Sequence, residues 1–269
     1  MPSQTASLLS YCLQLPLWLA CGLSGHCGLA VEPRQWPVEL KVGRFEIHSD
    51  FDVASQASLL PELSGLAGDV SHILGLAAGE QPVHIVLFRT GREYQRYMRN
   101  YFPDLPERRA LFIQDRGPGM LFAHWHQDVA VDLRHEITHA LLNDGLHPLP
   151  LWLDEGLAEY FEIEGGRRFD GNAYLPQVVE RAERGLVPSL AQLEEIDDLQ
   201  QFQDAHYRDS WAWVHFLIHR QSETRQLLVR YLNDYRSGAQ RLNLARQLQQ
   251  ILADPNASYQ AHFQSFPGS

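Results

Sequence analysis

His135 and His139 stand four residues apart in "RHEITHALLND" (residues 134–144), with Glu136 beside the first. On an α-helix that spacing puts both imidazoles on one face, with Cβ atoms about 5–6 Å apart, so the two rings can share one metal ion. Glu136 is turned about 100° from His135 around the helix, badly placed to ligate and well placed to act as a base on a water beside the metal. This is the H-E-x-x-H arrangement of zinc hydrolases. Leu133, Ile137, Ala140 and Leu141 surround the polar residues and predict a packed helix. Imidazoles and a carboxylate buried there need partners.

A second segment, "PLWLDEGLAEYFE" (150–162), carries Glu155 and Glu159 one helical turn apart. Fifteen residues, Ala140 to Asp154, separate His139 from Glu155. That is enough to finish one helix, turn and lay a second alongside. A carboxylate from the second helix can complete a His₂Glu set and leave a fourth position open, the mark of a catalytic rather than a structural zinc. Glu136 is then the general base.

The segments H-E-I-T-H and W-L-D-E-G-L-A-E-Y-F-E resemble the gluzincin metallopeptidases. Among these they are most similar to the peptidase MA-like group, related to the membrane alanyl aminopeptidase type. Weaker likeness extends over 45–130 and 186–236, in "FEIHSDF", "PSLAQLE" and "YRDSWAWVHFLI". The resemblance implies a zincin-like fold, with an active-site cleft between a front lobe and a helical lobe, and one Zn²⁺ per chain. It implies that Glu155 is the third ligand, by match to the glutamate of the family's [ND]-E-G-x-A segment, although the connection here is shorter than is common. It implies that Glu159 holds a ligand histidine by its other ring N–H, as such histidines usually require. An oxyanion donor from the helical lobe is implied too; Tyr207 in "DAHYRDSWAW" is the candidate, ahead of His206 and Tyr174.

The strand "GMLFAH" (119–124), just before the motif helix, is expected to pair with an extended substrate, as edge strands do. It lacks the acidic residue with which aminopeptidases of this group hold a free amino terminus, which counts against that activity. His124 and His126, two apart on a strand, share a face and are read as surface histidines rather than a second metal pair. The function expected is an exported zinc-dependent peptidase acting on a peptide or protein substrate. Two alternatives keep the same residues: a gluzincin-like binding or assembly module with little activity, and a zinc hydrolase of other amides. No P-C-x-x-C of a zinc deaminase and no G-x-S-x-G elbow of a serine hydrolase occurs.

The elements that must position this chemistry follow from pattern. Strands are expected at 45–51, 82–88, 110–114 and 120–125, and helices at 55–77 and 91–102. After residue 130 the pattern turns helical, with helices at about 175–185, 207–220, 223–236 and 239–253. Gly145 is expected to end the motif helix, and Pro150 to start the next. The fold class is therefore α+β: a single domain over 31–269, with an α/β lobe over 31–130, a helical lobe over 131–269 and the motif helix between them.

All three cysteines, Cys12, Cys21 and Cys27, fall in an apolar leader, "LLSYCLQLPLWLACGLSGHCGLA". Residues 1–30 read as a cleaved export signal, with lipoprotein anchoring at Cys21 as the lesser alternative. Beyond Val31 no apolar run is long enough to span a membrane. The net charge is −11 and Lys41 is the only lysine. No basic stripe exists for a nucleic-acid backbone, so nucleic acid is not an expected partner. The oligomeric state is left open.

Overall fold

A computed structural model describes residues 36–54, 59–77, 79, 81–114, 118–143, 149–238 and 243–267. The expected export signal, with its cysteines, and Gly145 lie outside the described residues. Val38, Leu40 and Val42 alternate with Glu39 and Lys41, and β1 (Val38–Val42) turns through Gly43 into β2 (Phe45–Ser49). Gly43 takes φ 58°, the left-handed value such a tight hairpin demands and glycine supplies without strain. Then come α1 (Leu59–Leu74), β3 (Val83–Phe88), α2 (Gly91–Tyr101), β4 (Ala110–Ile113) and β5 (Gly119–His124). Pro61 sits in the first turn of α1, where its missing N–H costs nothing. Thr90 caps α2 by accepting from the Glu93 amide at 3.3 Å.

The five strands form one mixed sheet in the order β1-β2-β3-β5-β4. β2, β3 and β5 run parallel, while β1 and β4 are antiparallel to their neighbours. Alternation sorts the side chains. Phe45, Ile47, Ile85, Leu87, Phe112, Leu121 and Ala123 join the main core, while Val86, Phe88, Leu111 and Phe122 pack on Tyr94 and Met98 of α2. This order overturns one expectation. The strand 119–124 lies between β3 and β4, so the free edge on that side belongs to β4. Both strands are short and apolar, and the sequence does not say that the earlier one folds back outside the later.

The motif helix α3 (Val129–Asn143) packs on β4, β5 and α1, and on α4 (Leu151–Phe161). Pro150 is the residue that caps α4. Helices α5 (Leu175–Glu183), α6 (Leu190–Glu194), α7 (Asp204–His219), α8 (Ser222–Arg236), α9 (Leu244–Ile251) and α10 (Pro255–Phe263) complete the chain. The architecture is α+β, with one main apolar core running from Phe45 in the sheet through Leu133 and Leu157 to Phe263. The expected lobes therefore share a core. Among the described residues, no helix is long and apolar enough to cross a membrane.

Candidate metal centre

Helices α3 and α4 are unusual in being buried nearly all round: every residue of α4 from Trp152 to Phe161 is buried. Gly156 makes this possible. A Cβ there would lie 2.8 Å from the backbone carbon and oxygen of Ser210, so α4 and α7 approach too closely for any side chain. The approach fixes α4 against α7 next to Glu155.

His135, His139 and Glu155 are fully or almost fully buried. The imidazole centroids of the two histidines are 4.9 Å apart. Their Nε2 atoms lie 3.6 Å and 3.8 Å from Glu155 Oε2, too long for hydrogen bonds. Both Nε2 atoms and both Glu155 oxygens are buried without a hydrogen-bond partner. Orphaned polar atoms of this kind are costly, and four that converge on one point need an explanation. A cation is the one that fits. Ligand atoms of a tetrahedral zinc site, with bonds of about 2.0–2.1 Å, lie roughly 3.3–3.4 Å apart. The cluster His135, His139 and Glu155 could hold a metal ion.

The outward nitrogens are fully accounted for. His135 Nδ1 lies 2.9 Å from Glu162 Oε2, and His139 Nδ1 lies 3.0 Å from Asp154 Oδ2. A carboxylate only accepts, so each Nδ1 carries a hydrogen and each Nε2 is left as the inward atom that a cation would meet. The electrostatics agree. Burial opposes a charge on His135, but the carboxylates of Glu155 and Glu162 outweigh it and hold the imidazole pKa well above its ordinary value. At His139, burial is likewise outweighed, chiefly by Asp154, and the pKa is raised. Glu155 is pushed up by burial against the pull of both histidines. The surroundings thus favour positive charge where the three residues meet.

Glu159 is placed differently from its expected role. The hydrogen bond to His135 Nδ1 is made by Glu162, two turns beyond Glu155, and Glu159 lies close to both of them. Burial, with Glu162 beside it, raises the Glu159 pKa well above the usual carboxylate range. The cause is helix direction. In an antiparallel pair, the earlier histidine of α3 meets the later residues of α4. His139 therefore meets Asp154, and His135 meets Glu162. His135, Glu159 and Glu162 also cluster closely enough to ligate, but the Nδ1–Glu162 contact has ordinary hydrogen-bond length and needs no ion.

Glu136 points the other way, toward the sheet. Its Oε2 accepts the Phe112 amide at 2.9 Å. That N–H is directed away from β5 and belongs to the outer edge of β4. Tyr207 is fully buried at the start of α7, its ring edge-on to Phe202 at 4.7 Å, on the helix that backs α4. His206 is taken up by capping: its Nδ1 accepts the Gln203 amide at 2.9 Å. Tyr174 precedes α5, half-buried, 6.3 Å from the Trp211 ring. His124 and His126 are both partly exposed. His126 Nε2 bonds Asp132 Oδ2 at 2.9 Å, and the His124 ring lies where a side chain at Gly91 would fall.

Sequence reasoning missed Asp154, Glu162 and Arg134. Arg134 bonds Glu62 of α1 and the Glu162 carbonyl, and so pins the end of α4 to the motif helix. The signal for Glu162 was present: residues 155, 159 and 162 form one i, i+4, i+7 stripe. A family described as "Protein of unknown function (DUF1570)" matches residues 129–239. That span opens with α3 and covers all three potential ligands. No curated protein matches the chain.

Proposed function

We propose that this protein is a zinc-dependent peptidase with a zincin-like fold. The observation that carries the proposal is the convergence of buried, unpartnered ligand atoms from His135, His139 and Glu155, with Glu136 next to His135 on the same helix and outside that cluster. A structural metal site has no use for such a carboxylate. A His₂Glu set of neutral imidazole and carboxylate suits zinc. The bound ion would supply Lewis acidity toward a scissile carbonyl and make water at the site acidic near neutral pH. Glu136 takes the proton of that water and returns it to the leaving nitrogen. The Phe112 amide fixes the direction of the Glu136 carboxylate while it does so. An extended peptide lies along the outer edge of β4, whose inner edge is taken by β5. Tyr207 remains the proposed oxyanion donor. Export from the cytoplasm belongs to the same proposal and rests on the leader sequence.

Elemental analysis of the purified chain beside His139→Ala tests the first half: about one zinc per chain is expected, lost in the variant. Digestion of dye-labelled unfolded casein tests the second. Glu136→Gln should keep its zinc and lose turnover by at least about a hundredfold. Zinc-loaded Glu136→Gln with full turnover would sink the mechanism. A zinc-loaded wild-type chain that cleaves no peptide would instead indicate a metal-bound assembly module.

A further inference from the structure

Asp132 lies one turn before Glu136 on α3 and is 2% exposed. No ligand role uses it, yet a buried carboxylate is costly unless its partners are well made. Its partners come from both strands beside the site. Arg109 Nη2, immediately before β4, donates to Asp132 Oδ1 at 2.8 Å. His126, just beyond β5, donates from Nε2 to Oδ2 at 2.9 Å. The tautomer is fixed, because His126 Nδ1 accepts the Asp128 amide at 3.1 Å and must be unprotonated.

We propose that Asp132, acting through Arg109 and His126, is a positioning residue that sets the register of β4 against Glu136. The inference rests on the peptidase reading above. β4 has four residues and, among the described residues, is paired on one side only; Leu111 and Phe112 anchor its two faces in the core, but few sheet hydrogen bonds fix it along its own axis. Two contacts bolt it to α3. One is Arg109 to Asp132 at its head. The other is the Phe112 amide to Glu136 at its centre, three residues on along the strand and one turn on along the helix. With the second contact alone, any movement of the strand would drag Glu136 with it. The first contact carries that strain, and the outer edge of β4 and the carboxylate that acts on the bound peptide keep one geometry. Half the Arg109 contact is open to solvent, with a side-chain exposure of 41% against 2% for Asp132, so the clamp can be cut without excavating the core.

The test uses the full zinc-loaded chain carrying Arg109→Ala, Arg109→Lys, Asp132→Asn or the Arg109→Ala/Asp132→Asn pair. With dye-labelled unfolded casein, Arg109→Ala should raise KM about tenfold and lower kcat as well, since the loosened strand carries both the substrate edge and the Glu136 contact. Arg109→Lys should recover part of it, and the pair should lose no more than the worse single variant. Zinc content should be that of wild type throughout. The readout independent of turnover is exchange of the Phe112 amide, which should quicken in Arg109→Ala and not in Arg109→Lys. If wild type cleaves casein but Arg109→Ala leaves both KM and Phe112 exchange unchanged, the clamp is refuted and the peptidase reading stands. If wild type cleaves nothing, the peptidase reading fails, and Phe112 exchange alone decides whether Arg109 and Asp132 hold the strand.

Discussion

At His135 the chemistry turns on which nitrogen faces which carboxylate. Nε2 looks inward to Glu155 and Nδ1 outward to Glu162, so the two acids do different work although they lie on one helical stripe. Holding the outward N–H fixes the ring and makes the inward nitrogen more basic. Glu162→Ala should therefore weaken zinc binding by about 10- to 100-fold, as should Asp154→Ala at His139. Glu159→Ala should cost less, because the hydrogen bond to His135 Nδ1 comes from Glu162. Competition with a calibrated chelator ranks the three variants. A larger loss at Glu159 than at Glu162 would restore to Glu159 the role that the gluzincin resemblance implies.

At the scale of elements, the site depends on how tightly α4 is pressed between α3 and α7. Gly156→Ala would set a methyl 2.8 Å from the Ser210 backbone, which cannot rotate away as a side chain can. The intrinsic gain of alanine over glycine in a helix, about 1 kcal/mol, should be outweighed by overpacking of about 1–3 kcal/mol. Gly65→Ala and Gly68→Ala on α1 meet nothing within 4 Å, and either should stabilise by roughly 0.5–1 kcal/mol. Urea midpoints of the three variants separate close packing from helix propensity; a stabilised Gly156→Ala would show that α4 and α7 can part. What could be read from the sequence divides along the same line. The H-E-x-x-H spacing and the Glu155 stripe are periodic within one helix, so the two helices and all three residues of the candidate cluster were legible. The order of β4 and β5 is a choice between strands, and no local pattern encodes it. β1 carries an alternation that the sequence does show, Val38, Leu40 and Val42 against Glu39 and Lys41, and it is an outer strand with only half-buried apolar residues. α10 escaped notice because its polar and apolar residues show almost no helical segregation. The holders of the histidines were hidden for the reason that shifted Glu159: which residues of α4 meet α3 depends on an antiparallel crossing.

For the whole molecule, the helical half closes on a second group of histidines that the site does not use. His215 on α7 is fully buried; its Nε2 donates to the Phe169 carbonyl at 2.9 Å, so its Nδ1 must accept from His262 Nε2 of α10 at 3.0 Å. His219, one turn on, meets the Tyr160 hydroxyl of α4 at 2.9 Å. This chain of contacts ties α10 and α4 to α7, and its central acceptor, His215 Nδ1, must stay unprotonated. Burial depresses His215 to about 3 and His219 and His262 to about 4, with neighbouring positive groups adding to the effect. Each folded value lies below the ordinary histidine value of about 6.5. The unfolded chain therefore binds more protons than the folded one between those limits. This contribution to stability is intact above about pH 6.5 and declines as pH falls toward 4. In His262→Gln, the amide nitrogen can keep the donation to His215 while removing one titrating group. Its thermal midpoint at pH 7 should stay close to that of wild type, and its fall between pH 6.5 and 4.5 should be shallower. Raised carboxylates such as Glu194 act in the opposite direction but are common to both proteins and cancel in the difference. Parallel curves would assign the acid sensitivity to groups other than this cluster. A shallower one would show that protonation of this cluster loosens the helices packed behind the candidate metal cluster.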